Sequence, residues 1–263
     1  MRAMSDPFVF DRPALRLRRD RAAASLPRVA GLLGEVAERL TETLDAIRRP
    51  FTRALDLGGR GVVAPRLRAR GIEVVEAALS PGQAIAAGAP ALVADEELLP
   101  FAPASFDLIV ANLSLHWAND LPGALIQLRR SLRPDGLFLA SLPIIGTLAE
   151  LRAALTAAEA DLTGGASPRV APFPDLRDCA GLLQRAGFAM PVAERDEIRL
   201  RYADPLALLR DLRDAGETNA LRLRERRFVS RALFPMALSR LPAEDGRITA
   251  TLRLALLTGW APG

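Results

Sequence analysis

The stretch Arg53-Ala54-Leu55-Asp56-Leu57-Gly58-Gly59-Arg60-Gly61 restricts what this chain can fold into more than any other. An apolar run of strand length closes around an acidic residue, a glycine cluster follows at once, and a helical pattern starts at Val62. A strand that turns on glycines into a helix brings backbone close to a bound group and points the free N–H groups of the helix start towards it. A nucleotide-type cofactor needs that order of elements.

From this stretch onward strands and helices alternate. Strands are expected over 53–57, 72–77, 91–94, 106–111 and 137–142, with helices over 62–70, 80–87 and 121–132 between them. The run Phe106-Asp107-Leu108-Ile109-Val110-Ala111 is nearly continuous in apolar residues, as a strand covered on both faces must be. Such alternation predicts an α/β fold with a doubly wound, mostly parallel sheet. Before it, apolar residues at Leu32, Leu33, Val36, Leu40, Leu44 and Ile47 repeat at helical spacing up to Pro50. After it come a helix over 147–162, a Gly/Pro/Ser-rich loop over 163–174, a helix over 175–186 and a strand over 192–202. Helices over 204–214 and 219–233 and a last strand over 247–260 complete the pattern. This gives one domain over 1–263: helices over 1–50, a cofactor-binding core over 51–145, a helical lid over 146–235 and a final strand region over 236–263.

Composition removes several function classes. With one cysteine, Cys179, no internal disulfide can form, which suits a reducing cytosol. With one histidine, His116, a multi-histidine metal site is excluded, and no metal is expected. No apolar run reaches the ~20 residues of a membrane span. All 35 basic residues are arginine, and 31 acidic residues are interspersed among them. The arginine-rich run from Arg12 to Arg21 reads as a helix packed on its own domain, with docking to a partner or a membrane surface as the alternative. The arginines between Arg222 and Arg231 lack the interleaved aromatics that stack on bases, so no nucleic-acid partner is expected.

Four features occur in a telling order: the Asp56–Gly61 turn, the acid Glu76 near the end of strand two, Asp95-Glu96-Glu97 after strand three, and strand four ending at Asn112. Together with Arg133-Pro134-Asp135-Gly136 they resemble the class I S-adenosylmethionine-dependent methyltransferases, which implies a seven-stranded Rossmann-like sheet and S-adenosyl-L-methionine as cofactor. Ser114-Leu115-His116-Trp117-Ala118-Asn119-Asp120, Gly164-Gly165-Ala166-Ser167-Pro168-Arg169, Gly216-Glu217-Thr218-Asn219 and Thr258-Gly259-Trp260 narrow the resemblance. They are similar to the bacterial counterpart of a mitochondrial complex I assembly factor, an arginine hydroxylase with a methyltransferase fold. A looser likeness is to the malonyl-acyl-carrier-protein methyltransferases. These imply a protein or carrier-bound substrate, with a complex I subunit among the candidates, and a cytoplasmic location, at most peripheral to a membrane.

The resemblance assigns cofactor contacts to Asp56, Gly58, Gly59, Gly61, Glu76, Asp95, Glu96 and Asn112. The turn is one residue shorter than the family's, and Ala78 stands where the ribose-binding acid usually does, so Glu76 is the substitute. A metal at Asp95, Glu96 and Glu97 is the weaker reading of that cluster. His116 is the candidate base, for a neutral imidazole accepts a proton near neutral pH. Trp117, Arg169, Glu217 and Asn219 are substrate candidates: an aromatic wall, an anion clamp and a guanidinium receiver. The competing class is a non-catalytic assembly factor that has lost cofactor affinity.

Overall fold

The computed structural model describes residues 8–58, 60–88 and 90–263. Gly59 and the segment before Phe8 lie outside the described residues. The chain opens with α1 (Arg12–Ala22), capped by the Asp11 side chain, which accepts from the Ala14 amide. A 3-10 stretch leads into α2 (Ala30–Glu42). There follow β1 (Arg53–Leu57), α3 (Val63–Ala69), β2 (Glu73–Ala78), α4 (Pro81–Ala87), β3 (Ala91–Val93) and β4 (Phe106–Asn112). Next come α5 (Leu121–Ser131), β5 (Leu132–Pro143), α6 (Ala149–Thr163), α7 (Leu176–Arg185) and β6 (Ala189–Tyr202). The chain ends with α8 (Pro205–Asp214), α9 (Leu233–Leu238), a two-residue β7 (Ala243–Glu244) and β8 (Arg247–Trp260).

The strands form one sheet in the order β3-β2-β1-β4-β5-β8-β6, with β7 added on β8. Strands β1 to β5 are parallel, and β8 runs antiparallel between β5 and β6. The expected mostly parallel sheet of seven principal strands is present, and β7 makes an eighth. Every residue of β4 is buried because alternate side chains enter cores on opposite faces: Ile109 and Ala111 on one, Leu108 and Val110 on the other. A third apolar cluster joins α6, α8 and α9 to the start of β8 through Leu151, Leu155, Leu208, Leu233 and Ile248.

One element departs from expectation. Residues 219–233 are not a helix; only Leu233–Leu238 is helical there. The Asn219 side chain accepts from the Leu221 amide, closing a turn, and Leu221 pairs with Phe10 as an isolated bridge. Ala220 and Leu221 then bury beside Phe10, Leu15 and Trp117. The charged run after them has no apolar stripe to hold a helix against the body of the protein.

Asp107 fixes the bottom of the sheet. Its carboxylate accepts from the amides of Thr52 and Arg53 at 2.9 Å each and from the Thr52 hydroxyl at 2.6 Å. Asp107→Ala strands those donors at the β1–β4 junction and is expected to lower unfolding free energy by roughly 2–4 kcal/mol. Urea denaturation measures this, and an unchanged midpoint would show that the β1–β4 register is set elsewhere.

Candidate functional site

The sheet reverses its winding between β1 and β4, so a crevice opens above the carboxyl ends of these strands. The glycine turn enters it. The Gly58 amide donates to the Ala77 carbonyl at 2.8 Å, and Gly58 has φ +133°. A β-carbon there would come within 3.2 Å of the Ser114 β-carbon, so glycine is needed on two counts. Arg60, the next described residue, turns inward and is buried.

Arg60 ends on Glu217, which sits on the turn after α8 and organises the crevice. The Glu217 carboxylate accepts from the Arg60 guanidinium, from Trp117 Nε1 and from His116 Nε2, the last at 2.8 Å. Arg19 approaches it at 3.6 Å and donates to Glu96 at 2.8 Å. Arg12 completes the chain by bonding both Asp95 and Glu96. Three arginines thus face four carboxylates, Glu97 lying 3.7 Å from Arg12 as the fourth. Burial pushes Glu217 up, but Arg60, His116 and Arg19 more than reverse this and hold it well below the usual carboxylate range. Glu96 follows the same balance through Arg19 and Arg12 and ends below its ordinary value. His116 moves down, chiefly by burial, against the pull of Glu217. It is therefore neutral at pH 7. Because Nε2 donates to a carboxylate, Nδ1 carries the lone pair, and Nδ1 is buried with no partner.

Two hollows flank this network. One, of about 570 Å³, lies over the ends of β2 and β3 and is lined by Leu79, Pro81, Val93, Asp95 and Arg12. The other, of about 640 Å³, extends from Arg60, His116 and Trp117 under α6 and α8. Arg169 and Asn219 line it too, but Arg169 is held by Glu159 through two bonds at 2.9 and 2.5 Å, and the Asn219 amide donates to the Pro168 carbonyl.

The other candidates stand apart. Asn112 is buried, donating to the Leu33 carbonyl and accepting from Ser141, which ties α2 to the sheet. Glu76 is paired with Arg68 at 2.9 Å and does not line either hollow. It lies directly across the ladder from Asp56, one rung below the strand end. Asp56 is buried, accepting from the Ala64 amide at 3.2 Å. Arg12, Arg19 and Arg60 were not singled out from sequence. A signal for the first two exists: Arg12, Leu15 and Arg19 share one helical face, and Leu15 and Arg19 are fully buried.

A methyltransferase-domain family model matches residues 55–140. The chain is 36% identical over 267 residues to human "Arginine-hydroxylase NDUFAF5, mitochondrial", covering 96% of this chain and 76% of that one. It is 34% identical over 269 residues to the zebrafish protein of the same name, covering 97% and 83%. It is 37% identical over 281 residues to the malonyl-[acyl-carrier protein] O-methyltransferase of Laribacter hongkongensis, covering 98% and 92%. The chain belongs to this methyltransferase family. The fold agrees: the crystal structure of the YcgJ protein of Bacillus subtilis superposes with a TM-score of 0.57 at 17% identity, over 85% of this chain and 98% of that one.

Within this member of the methyltransferase family the acid of the glycine turn is unusual in its ionisation. Burial, then the nearby Glu76, push the Asp56 carboxyl up to about 7. The native state therefore keeps a proton that the unfolded chain releases near pH 4, so stability falls as pH climbs from about 4 to about 7. Asp56→Asn removes this dependence while keeping an acceptor for Ala64. Between about pH 5 and about pH 8 the wild-type protein is expected to lose roughly 1–4 kcal/mol more than the variant. Parallel urea titrations at the two pH values check this, and equal losses would place the Asp56 ionisation elsewhere.

Proposed function

We propose that the protein is an S-adenosyl-L-methionine-dependent enzyme that transfers a methyl group to a protein or carrier-bound substrate. One observation carries the reading: His116, neutral and lining the larger hollow, keeps its Nδ1 unpartnered while a carboxylate on its other nitrogen orients the ring.

The residues present suit the cofactor. Gly58 and Gly61 both have positive φ, and a β-carbon at Gly61 would meet nothing, so the turn leaves open space along its backbone. The hollow over β2 and β3 has apolar walls for a base at Leu79, Pro81 and Val93. Asp20 and Asp95 both border this hollow; Asp20 is engaged by the Gly82 amide, so Asp95, just past the end of β3, replaces Glu76 as acceptor for the ribose or adenine edge. The cofactor, when bound, supplies an electrophilic methyl group on a sulfonium centre. The protein's own part is to hold and to deprotonate. Trp117 and the lid side exclude water, and His116 Nδ1 takes a proton from the acceptor while Glu217 fixes the ring and stabilises the imidazolium. Arg60 and Arg19 keep Glu217 ionised for that task.

A second reading is favoured by kinship: relatives at 34% and 36% identity over nearly the whole chain are named arginine-hydroxylases. Modification of an arginine on a complex I subunit is the corresponding role here.

Calorimetric titration with S-adenosyl-L-methionine tests the first reading, with saturable binding expected. Absence of binding at millimolar cofactor would leave the assembly-factor role. In the bound protein, His116→Ala is expected to keep cofactor affinity and lower turnover by about 100-fold or more. Because His116 sits below its ordinary pKa, wild-type turnover should stay level as pH falls to about 6.5 and decline only beneath it. Full activity in His116→Ala would take the residue out of catalysis.

A further inference from the structure

The hollow beyond His116 has far more apolar wall than a small methyl acceptor requires. Leu32, Leu148, Leu200, Leu209, Leu212 and Leu252 line it, contributed by α2, the turn before α6, β6, α8 and β8. Each keeps part of its surface uncovered although it faces the interior. A volume of about 640 Å³ bounded this way is the size of a pocket for an elongated organic ligand. A three-carbon acyl unit would leave most of that wall bare.

The charges at the polar end choose the head group. Arg60 is matched by Glu217, and Arg169 by Glu159. Arg18 lines the same hollow, half-buried, and donates to the Thr218 carbonyl at 3.0 Å. Among the described residues no carboxylate lies within ion-pair distance of it. Burial and the neighbouring Arg224 both lower its pKa against the weaker pull of Asp11. Farther along the wall Asp211 accepts from the Tyr202 hydroxyl and Arg210 is paired with Asp204, while Arg213 adds positive charge. At the Arg18 end a cationic head would meet Arg18 and a Glu217 already occupied by Arg60, whereas an anionic head would supply the missing counter-ion.

We propose that this hollow binds a fatty-acid-type ligand, its chain along the leucine wall and its carboxylate against Arg18. The inference deepens the reading of this hollow as the substrate side. Its test needs neither cofactor nor turnover, so the two can fail separately.

The test is displacement of a fluorescent fatty acid, cis-parinaric acid, by butanoate, octanoate, dodecanoate and dodecanol on the full chain. Affinity is expected to rise at least about tenfold from octanoate to dodecanoate, since each buried methylene adds to binding. Arg18→Gln should weaken dodecanoate at least about fivefold and leave dodecanol unchanged, as loss of one charge-assisted contact requires. Leu209→Trp, which fills the hollow from α8, should abolish binding of both, with circular dichroism and thermal midpoint confirming that each variant is folded. Three results would each overturn the proposal: no fluorescence gain with the probe, affinity independent of chain length, or equal loss for acid and alcohol in Arg18→Gln.

Discussion

The buried carboxylate of Glu217 is the contact on which the upper half of the molecule depends. It lies 157 residues from Arg60 and 101 from His116, yet it bonds both. Arg19 and Arg60 have side chains only 1% and 3% exposed, and such charges are tolerable only when paired and hydrogen-bonded. Four segments therefore close on one side chain: the first helix, the glycine turn, the loop after β4 and the turn that ends α8. The backbone makes room for this. Gly216 has φ +74°, and a β-carbon there would lie 3.1 Å from the Arg19 α-carbon, so α1 packs directly on the turn that carries Glu217. The shortened glycine turn is thus held from above through Arg60 as well as by its own dihedrals.

How much of this was legible in the sequence depends on whether the signal was local. The β1–α3 turn and β4 were, because an apolar run with a glycine cluster or with two-faced burial needs no distant partner to be read. The acid of β2 was half legible. Spacing put Glu76 near the strand end, but only the ladder shows it opposite Asp56, facing Arg68 of α3. The region after Asn219 was misread as helix because arginine and leucine favour helices locally, while the burial of Leu221 against Phe10 is set by contacts more than 200 residues apart. Buried arginine was the least legible feature. Composition makes arginine look like solvent-facing charge, and only the face shared by Arg12, Leu15 and Arg19 hints otherwise.

The two sides of the crevice solve the problem of buried charge differently. Around Glu217 and Glu96 each carboxylate stays ionised because arginines outweigh the desolvation. Around Asp56 and Glu76 burial outweighs the pull of Arg68 on both acids and of Arg60 on Asp56, and it raises both. The glycine turn runs between these regions. Its acid is set to carry a proton near neutral pH, while the groups that touch His116 are locked in their charged forms. A base beside a fixed carboxylate keeps its tautomer and orientation whatever happens to Asp56, so the ionisation that tunes the turn is separated from the one that would serve proton transfer.

The first helix turns this electrostatic layout into a constraint on specificity. Arg12 lines the hollow over β2 and β3, Arg18 lines the hollow under α6 and α8, and Arg19 lies in the network that divides them. One helix, through the eight residues from Arg12 to Arg19, therefore walls both chambers and the partition. Its position is set by Leu15 in the small core with Phe10 and Trp117, and by the Asn119 side chain, which accepts from the Phe10 amide at 2.8 Å. Trp117 also donates to Glu217, so the residue that anchors the helix from below is bonded to the carboxylate that anchors it from above. A ligand that moved α1 to widen one chamber would have to break the Arg19–Glu96 pair and shift the wall of the other. The chambers are mechanically coupled through a segment that precedes the methyltransferase core in the chain.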